Sequence, residues 1–242
     1  QWFNSVFKGY VETENGFKVT VYREGKTETV TTKIMVGADG AHSKIRSQLY
    51  QGENEPDKYI AIQEWFTCKD PSAQFAAIFD ANITDFYAWV IPKDDVMMVG
   101  GAFPVNDDAH LKFRMLKQKL QNLGYNLDVS VKVEGAHINR PTRSKHLQYG
   151  ASGILLVGEA AGAISPSSAE GISYALRSSC ELAKSINENV DSETLDYQSI
   201  CTTYQKYMKP IKLNLLGKRL KSPVMYHPLL RKTVMKSGLN SL

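Results

Sequence analysis

The chain's 242 residues are 43% hydrophobic and 22% charged, with a formal net charge of +4, the make-up of a globular protein able to bury one large core or two smaller ones. No apolar run approaches the ~20 residues of a membrane span, and Cys68, Cys180 and Cys201 stand far apart with no Cys-x-x-Cys. This argues against a disulfide frame or a zinc site, and a reduced, cytoplasmic protein is expected.

The first residues, Gln1-Trp2-Phe3-Asn4, carry neither a start methionine nor a signal-peptide pattern, as expected at a boundary inside a longer protein. Strand grammar follows. Residues 6–13 and 17–22 flank Glu14-Asn15-Gly16, and Asn-Gly is a strong hairpin signal. Glu24-Gly25 makes a second turn into a strand over 29–36, which runs into the first small-residue bend. From 58 to 139 the pattern is mostly β, with strands expected over 59–67, 74–79, 86–91, 96–103 and 129–139 and a turn at Asp94-Asp95. One helix interrupts, with Phe113, Leu116, Leu120 and Leu123 at helical spacing and Gly124 as its stop. An antiparallel sheet forming its own layer is expected there.

A second strand-and-bend pattern then leads to a helix. Its Ile172, Ala175, Leu176, Ser179, Ala183 and Ile186 lie on one face, and that face is predicted to be buried. A further helix over roughly 194–220 should kink or break at Pro210. A loop from Ser222-Pro223 to His227-Pro228 and a short basic helix complete the reading. Residues 197–242 hold nine Lys or Arg and no Asp or Glu, so the part before them is net negative. Such a tail suits an anionic membrane surface or an acidic electron carrier, or is a solvated helix face.

Two segments carry the chemistry. Val36-Gly37-Ala38-Asp39-Gly40-Ala41-His42-Ser43-Lys44-Ile45-Arg46 and Ile154-Leu155-Leu156-Val157-Gly158-Glu159-Ala160-Ala161-Gly162 each run from an apolar strand through small residues bearing one acid towards a helix. This grammar brings backbone amides and a carboxylate up to a sugar-phosphate cofactor. The Gly-x-Gly-x-x-Gly turn that opens many such sites is absent from the 242 residues, which points to the C-terminal portion of a flavoprotein separated from its first nucleotide-binding unit. His42, His110, His137, His146 and His227 are scattered without ligand spacing, so no metal site is expected. Arg140 and Arg143 flank Pro141 and read as solvated charge or as phosphate contacts. Neither a Gly-x-Ser-x-Gly elbow nor a Walker loop occurs.

Gly37-Ala38-Asp39-Gly40 with Ser43 and Arg46 resembles the Asp-Gly motif of the p-hydroxybenzoate hydroxylase superfamily of FAD enzymes. Gly158-Glu159-Ala160-Ala161-Gly162, Pro166 and Glu170-Gly171-Ile172 resemble that superfamily's second FAD motif, in the form found in the geranylgeranyl reductase branch with its FixC and CbrA relatives. Between them, Tyr87-Ala88-Trp89-Val90-Ile91-Pro92 is similar to the branch's Tyr-x-Trp-x-Phe-Pro signature, although Ile91 matches the related halogenase version better. The motifs stand in family order along the whole chain.

The resemblance implies an α/β fold, α+β within this stretch: part of a Rossmann-like FAD-binding domain, an antiparallel β-sheet substrate domain and C-terminal helices. The boundaries expected are 1–57, 58–145, 146–190 and 191–242, with the first and third segments sharing the FAD-binding domain. It further implies that Asp39, Gly40, Arg46, Gly158, Glu159, Ala160, Gly162, Pro166, Gly171 and Ile172 contact FAD. Arg46 would hold Asp39 or sit near phosphate, and the amides of Gly171 and Ile172, at a helix N-terminus, would face the flavin's N1 and C2 carbonyl. Glu159 stands where the family has an Asp on the ribityl hydroxyls, and its extra methylene sets the carboxylate about 1.5 Å further out. Tyr87 and Trp89, two apart on a strand, would share a face and wall an apolar substrate. The expected activity is reduction of a carbon–carbon double bond in a polyprenyl or other apolar molecule. Its electrons would come from NAD(P)H or a reduced ferredoxin-like carrier. Monooxygenase or halogenase action, or a non-catalytic binding role, remains open. The stretch alone is expected to hold FAD weakly or not at all. The whole protein would be cytoplasmic or peripheral to the membrane, with no nucleic acid as partner.

Overall fold

A computed structural model describes residues 1–68, 74–190 and 196–236. In chain order the elements are β1 (Ser5–Thr13), β2 (Gly16–Arg23), β3 (Lys26–Thr32), β4 (Met35–Gly37), α1 (Lys44–Tyr50), β5 (Asp57–Thr67), β6 (Ala76–Ile78), β7 (Ala88–Lys93), β8 (Val96–Pro104), α2 (Ala109–Asn122), β9 (Ser130–Arg140), β10 (Gly150–Ala151), β11 (Ile154–Leu156), α3 (Ile172–Asn189), α4 (Tyr197–Tyr207), α5 (Lys209–Tyr226) and α6 (Pro228–Lys236). Two units form among the described residues, one from residues 1–56 and 140–220, the other from 57–139 and the described residues from 221 on. The expected four-part division changes in three places, the first being that Asp57 falls in the second unit. Residues 140–145 join the first unit, and the helical C-terminal region is divided between the units rather than standing apart.

The first unit holds two three-stranded sheets, in the orders β1-β2-β3 and β10-β11-β4. The expected strand over 29–36 is in fact two strands. β3 ends at Thr32, whose hydroxyl donates to the Ile34 carbonyl at 2.6 Å, and the Met35 amide then bonds the Gly153 carbonyl at 3.0 Å. The chain thus leaves the meander for a second sheet, where β4 pairs in parallel with β11, Gly37 opposite Leu156. Ile154, Leu155 and Leu156 are each 0% exposed, as an uninterrupted apolar strand covered on both faces must be. Leu182 of α3, Ile200, Tyr204 and Met208 of the α4 region, and Ile211 and Leu215 of α5 complete this core.

The buried face of α3 is not the expected one. Tyr174, Ser178, Leu182 and Ser185 point inward, whereas Ile172 and Leu176 are 80% and 65% exposed. The helix lies close to the turn after β11, since a Cβ on Gly158 would meet that of Ala175 at 3.1 Å; small residues admit that approach and a leucine would not. Helix 194–220 does break before Pro210, into α4 and α5, although its first expected residues, 194–195, lie outside the described residues. The loop expected from Ser222 is helical instead. α5 continues through Pro223 to Tyr226, and α6 starts on Pro228, a first-turn position where the missing N–H costs nothing.

The second unit is built on one sheet in the order β6-β7-β8-β5-β9, with α2 packing Phe113, Leu116 and Leu120 into a core containing Phe66, Val99 and Phe103. Leu123 departs from the expected stripe: it caps α2 and is 68% exposed. The strand expected over 86–91 runs instead from Ala88 to Lys93. Phe86 is held outside the ladder by its amide's bond to the Thr84 hydroxyl, 3.1 Å.

Candidate functional site

The parallel pairing of β4 and β11 sets the two small-residue bends side by side. After β4 the chain enters a 3-10 turn, Gly40–His42; after β11 it enters another, Gly158–Ala161; the two turns pack against each other. The Val157 amide bonds the Gly37 carbonyl at 3.0 Å, carrying the pairing into the bends. Both therefore lie at the C-terminal ends of adjacent parallel strands, where open α/β sheets bind ligands.

In the first bend Asp39 is fixed through both carboxylate oxygens. The Ser43 hydroxyl donates to Oδ1 at 2.6 Å and the Ile45 amide to Oδ2 at 3.3 Å, while Ser43 Oγ accepts from the Arg46 amide at 2.9 Å and so caps α1. Gly40 has φ +73°, and the space a Cβ would fill there is open, so bare backbone faces an unfilled side of the turn.

Arg46 departs from expectation. It is 1% exposed, and its guanidinium donates to the carbonyls of Ala160 (3.0 Å), His146 (2.9 Å) and Asn54 (2.8 Å), with Glu55 Oε1 3.3 Å from Nε. Burial lowers its affinity for its proton, and the Glu55 carboxylate opposes that change; an arginine stays charged through such shifts. It holds neither Asp39 nor a solvent-facing phosphate position. It clamps α1, the chain before β5 and the second bend together.

In the second bend Gly158 and Gly162 have φ of +57° and +77°. A Cβ on Gly162 would stand 2.2 Å from the His146 carbonyl oxygen, so only glycine passes there. Ala160 is fully buried and lends its carbonyl to Arg46. Glu159 is half-buried on the same turn. The Gly158 amide donates to Ser178 Oγ on α3 at 2.8 Å. Ser178 was missed by sequence reasoning, because a serine inside an otherwise ordinary helix carries no outward signal of that role.

Pro166 is buried and its carbonyl accepts from Arg140 Nε at 3.3 Å, so Arg140 is not a purely solvated charge. Ser165 Oγ meets the hydroxyls of Ser167 (3.2 Å) and Ser168 (2.9 Å) in the same stretch. At the start of α3 the Ser173 amide is taken by Glu170 Oε1 at 3.1 Å. The amides of Gly171 and Ile172 donate to no group among the described residues. Two N–H groups thus stand open at the positive end of an 18-residue helix, beside one exposed carboxylate.

Tyr87 and Trp89 belong to the second unit. Trp89 is in β7 and Tyr87 immediately precedes it; their ring centroids are 5.6 Å apart at 53°. Trp89 lies on Gly100, where a Cβ would come within 2.6 Å of the indole, and donates from Nε1 to Gln63 Oε1 at 2.9 Å. Burial raises the proton affinity of the Tyr87 phenol. Gln63 and Gly100, which the sequence did not single out, hold the Trp89 ring in place. Among the described residues no His, Cys, Asp and Glu cluster could hold a metal ion.

The residues of the first unit fit a flavin dinucleotide on three counts. Two adjacent strand ends present glycine backbone, one carboxylate stands at each bend, that of Asp39 fixed through both oxygens, and a long helix begins nearby with unpaired amides. Its donors suit a polar, partly anionic ring edge, and its acids suit hydroxyls.

Comparison with known proteins agrees. Residues 3–211 match the sequence profile of the family described as FAD binding domain. The chain is 38% identical over 216 residues to Protein CbrA of Escherichia coli O1:K1, an alignment covering 89% of this chain and 57% of that protein, so the chain spans little more than half the length of this curated relative. Among solved structures, a geranylgeranyl bacteriochlorophyll reductase-like protein from Thermoplasma acidophilum superposes with a TM-score of 0.78 at 16% identity, covering 100% of this chain and 63% of that one. PqsL, a probable FAD-dependent monooxygenase from Pseudomonas aeruginosa, gives a TM-score of 0.65 at 16% identity, covering 96% and 66%. These two likenesses show the fold. No described helix is long and apolar enough to cross a membrane.

Proposed function

The chain belongs to the FAD binding domain family, and on that footing we propose that it is the ribityl- and isoalloxazine-holding part of a flavin-dependent oxidoreductase that reduces a carbon–carbon double bond in a polyprenyl or other apolar substrate. Its cofactor is FAD, which when bound supplies hydride-transfer chemistry.

The chain's own part is placement and electrostatics. Asp39 and Glu159 would accept from ribityl hydroxyls, with Gly40 letting the backbone approach, while Gly158 and Gly162 let the second bend pack against α3 and the His146 carbonyl. Arg46 and Ala160 hold the two bends in register rather than touching the cofactor. Past Pro166, the open amides of Gly171 and Ile172 would hold the negative charge of the reduced ring's pyrimidine edge, helped by the α3 dipole and weakened by Glu170. Tyr87 and Trp89, stiffened by Gln63 and Gly100, would give an apolar substrate its aromatic wall and exclude water. The observation that supports this most is the juxtaposition of the two bends on β4 and β11. The electrons would come from NAD(P)H or an acidic ferredoxin-like carrier.

A second reading, monooxygenase or halogenase action, is favoured by one sequence feature, Ile91 in the Tyr87–Pro92 signature. Anaerobic assay separates the two. The dithionite-reduced holoprotein is mixed with polyprenyl substrate under argon; return of the oxidised flavin spectrum with a saturated product supports the reductase. A spectrum that returns only when oxygen is admitted, with oxygenated or halogenated product, supports the alternative.

A further inference from the structure

α5 turns two different faces outward and inward. Ile211 and Leu215 are buried, while Leu213, Leu216 and Leu220 are 67%, 38% and 70% exposed. Their spacing of three and four residues makes one continuous stripe along the helix. Beside it, α5 and the segment around 141–147 enclose a cavity of about 100 Å³, with Arg143, Lys212 and Arg219 in its lining together with Leu213 and Leu216. None of the three cations forms an ion pair with a described residue. Nor does the sequence hold any acid from 197 onward.

Exposed leucines in a row are unusual on a globular surface unless something covers them. A soluble acidic partner would satisfy the cations but gain little from the leucines. An anionic bilayer satisfies both, since a helix of this kind buries its apolar stripe at the headgroup–acyl boundary and sets its cations among the phosphates. We propose that α5 is a lipid-docking helix: Leu213, Leu216 and Leu220 enter an anionic membrane surface, and Arg143, Lys212 and Arg219 receive lipid phosphates at the cavity beside it. The cavity also borders Gly162 of the second bend, but the inference rests on the leucine stripe and the three cations, not on the flavin reading.

The test is co-sedimentation of the purified protein with vesicles of phosphatidylcholine alone or containing phosphatidylglycerol. The protein should pellet with the anionic vesicles and be released by high salt. Lys212→Gln/Arg219→Gln should weaken that binding about 25-fold, at roughly fivefold per cation removed, and Leu213→Ser/Leu220→Ser should weaken it at least as much. Circular dichroism checks that each variant is folded; should a double variant not fold, Leu220→Ser alone, at a 70% exposed position, carries the test. Failure to pellet, equal binding to neutral vesicles, variants that bind like the parent, or retention only by a soluble acidic protein would each overturn the proposal.

Discussion

Arg46 shows how one side chain can serve a binding site without facing it. Its planar fork satisfies three backbone carbonyls from segments far apart in the chain, which a lysine's single ammonium cannot do. Each carbonyl left buried without a donor costs roughly 1–3 kcal/mol. Arg46→Lys is therefore expected to lower stability by about 2–4 kcal/mol in urea unfolding and to weaken FAD affinity by about tenfold or more. A variant within roughly 0.5 kcal/mol of the parent would mean that the clamp is dispensable. The sequence made Asp39, Gly40, Gly158 and Gly162 conspicuous because glycine and acid at strand ends have few other uses. It placed Arg46 in the motif but not its partners, which come from 54, 146 and 160, and it gave no sign of Ser178, whose value lies in meeting one amide of Gly158.

At the scale of elements, the strands were legible where turn residues bracket alternating patterns, and the helices where leucines recur. What failed was orientation. α3 has enough small and apolar residues on two faces for periodicity to choose the wrong one, and the choice is made by close packing against the Gly158 turn. The core beneath that turn is sealed by tyrosines: Tyr204 donates its hydroxyl to the Leu156 carbonyl at 2.9 Å, Tyr197 to that of Ile154 at 3.4 Å, and Tyr174 to Asn214. Burial raises the proton affinity of all three phenols. Folded values above the unfolded value of about 10 leave this stabilisation whole below pH ~10 and remove it as pH climbs further. The thermal midpoint should fall steeply above about pH 10, with phenolate absorbance rising together with loss of structure, and Tyr204→Phe should flatten that fall. Phenols ionising near pH 10 in a protein that stays folded would contradict the packing described.

Across the whole molecule, the order of the motifs was readable because each keeps its residues local in sequence. Their meeting was not, because the parallel pairing of β4 with β11 joins residues near 36 to residues near 155, and no local pattern encodes a partner so distant. The division into two non-contiguous units has the same origin, since the β-rich stretch from 57 to 139 folds on its own sheet while residues 1–56 and 140–220 make up the other unit. If that pairing makes one flavin cradle from two bends, both bends must respond to the same ligand. Amide hydrogen exchange of the protein with and without FAD tests it most directly. FAD should slow exchange in residues 38–45 and in residues 158–172 together, at the same ligand concentration. Protection confined to one bend, or found in neither while FAD is bound, would contradict it.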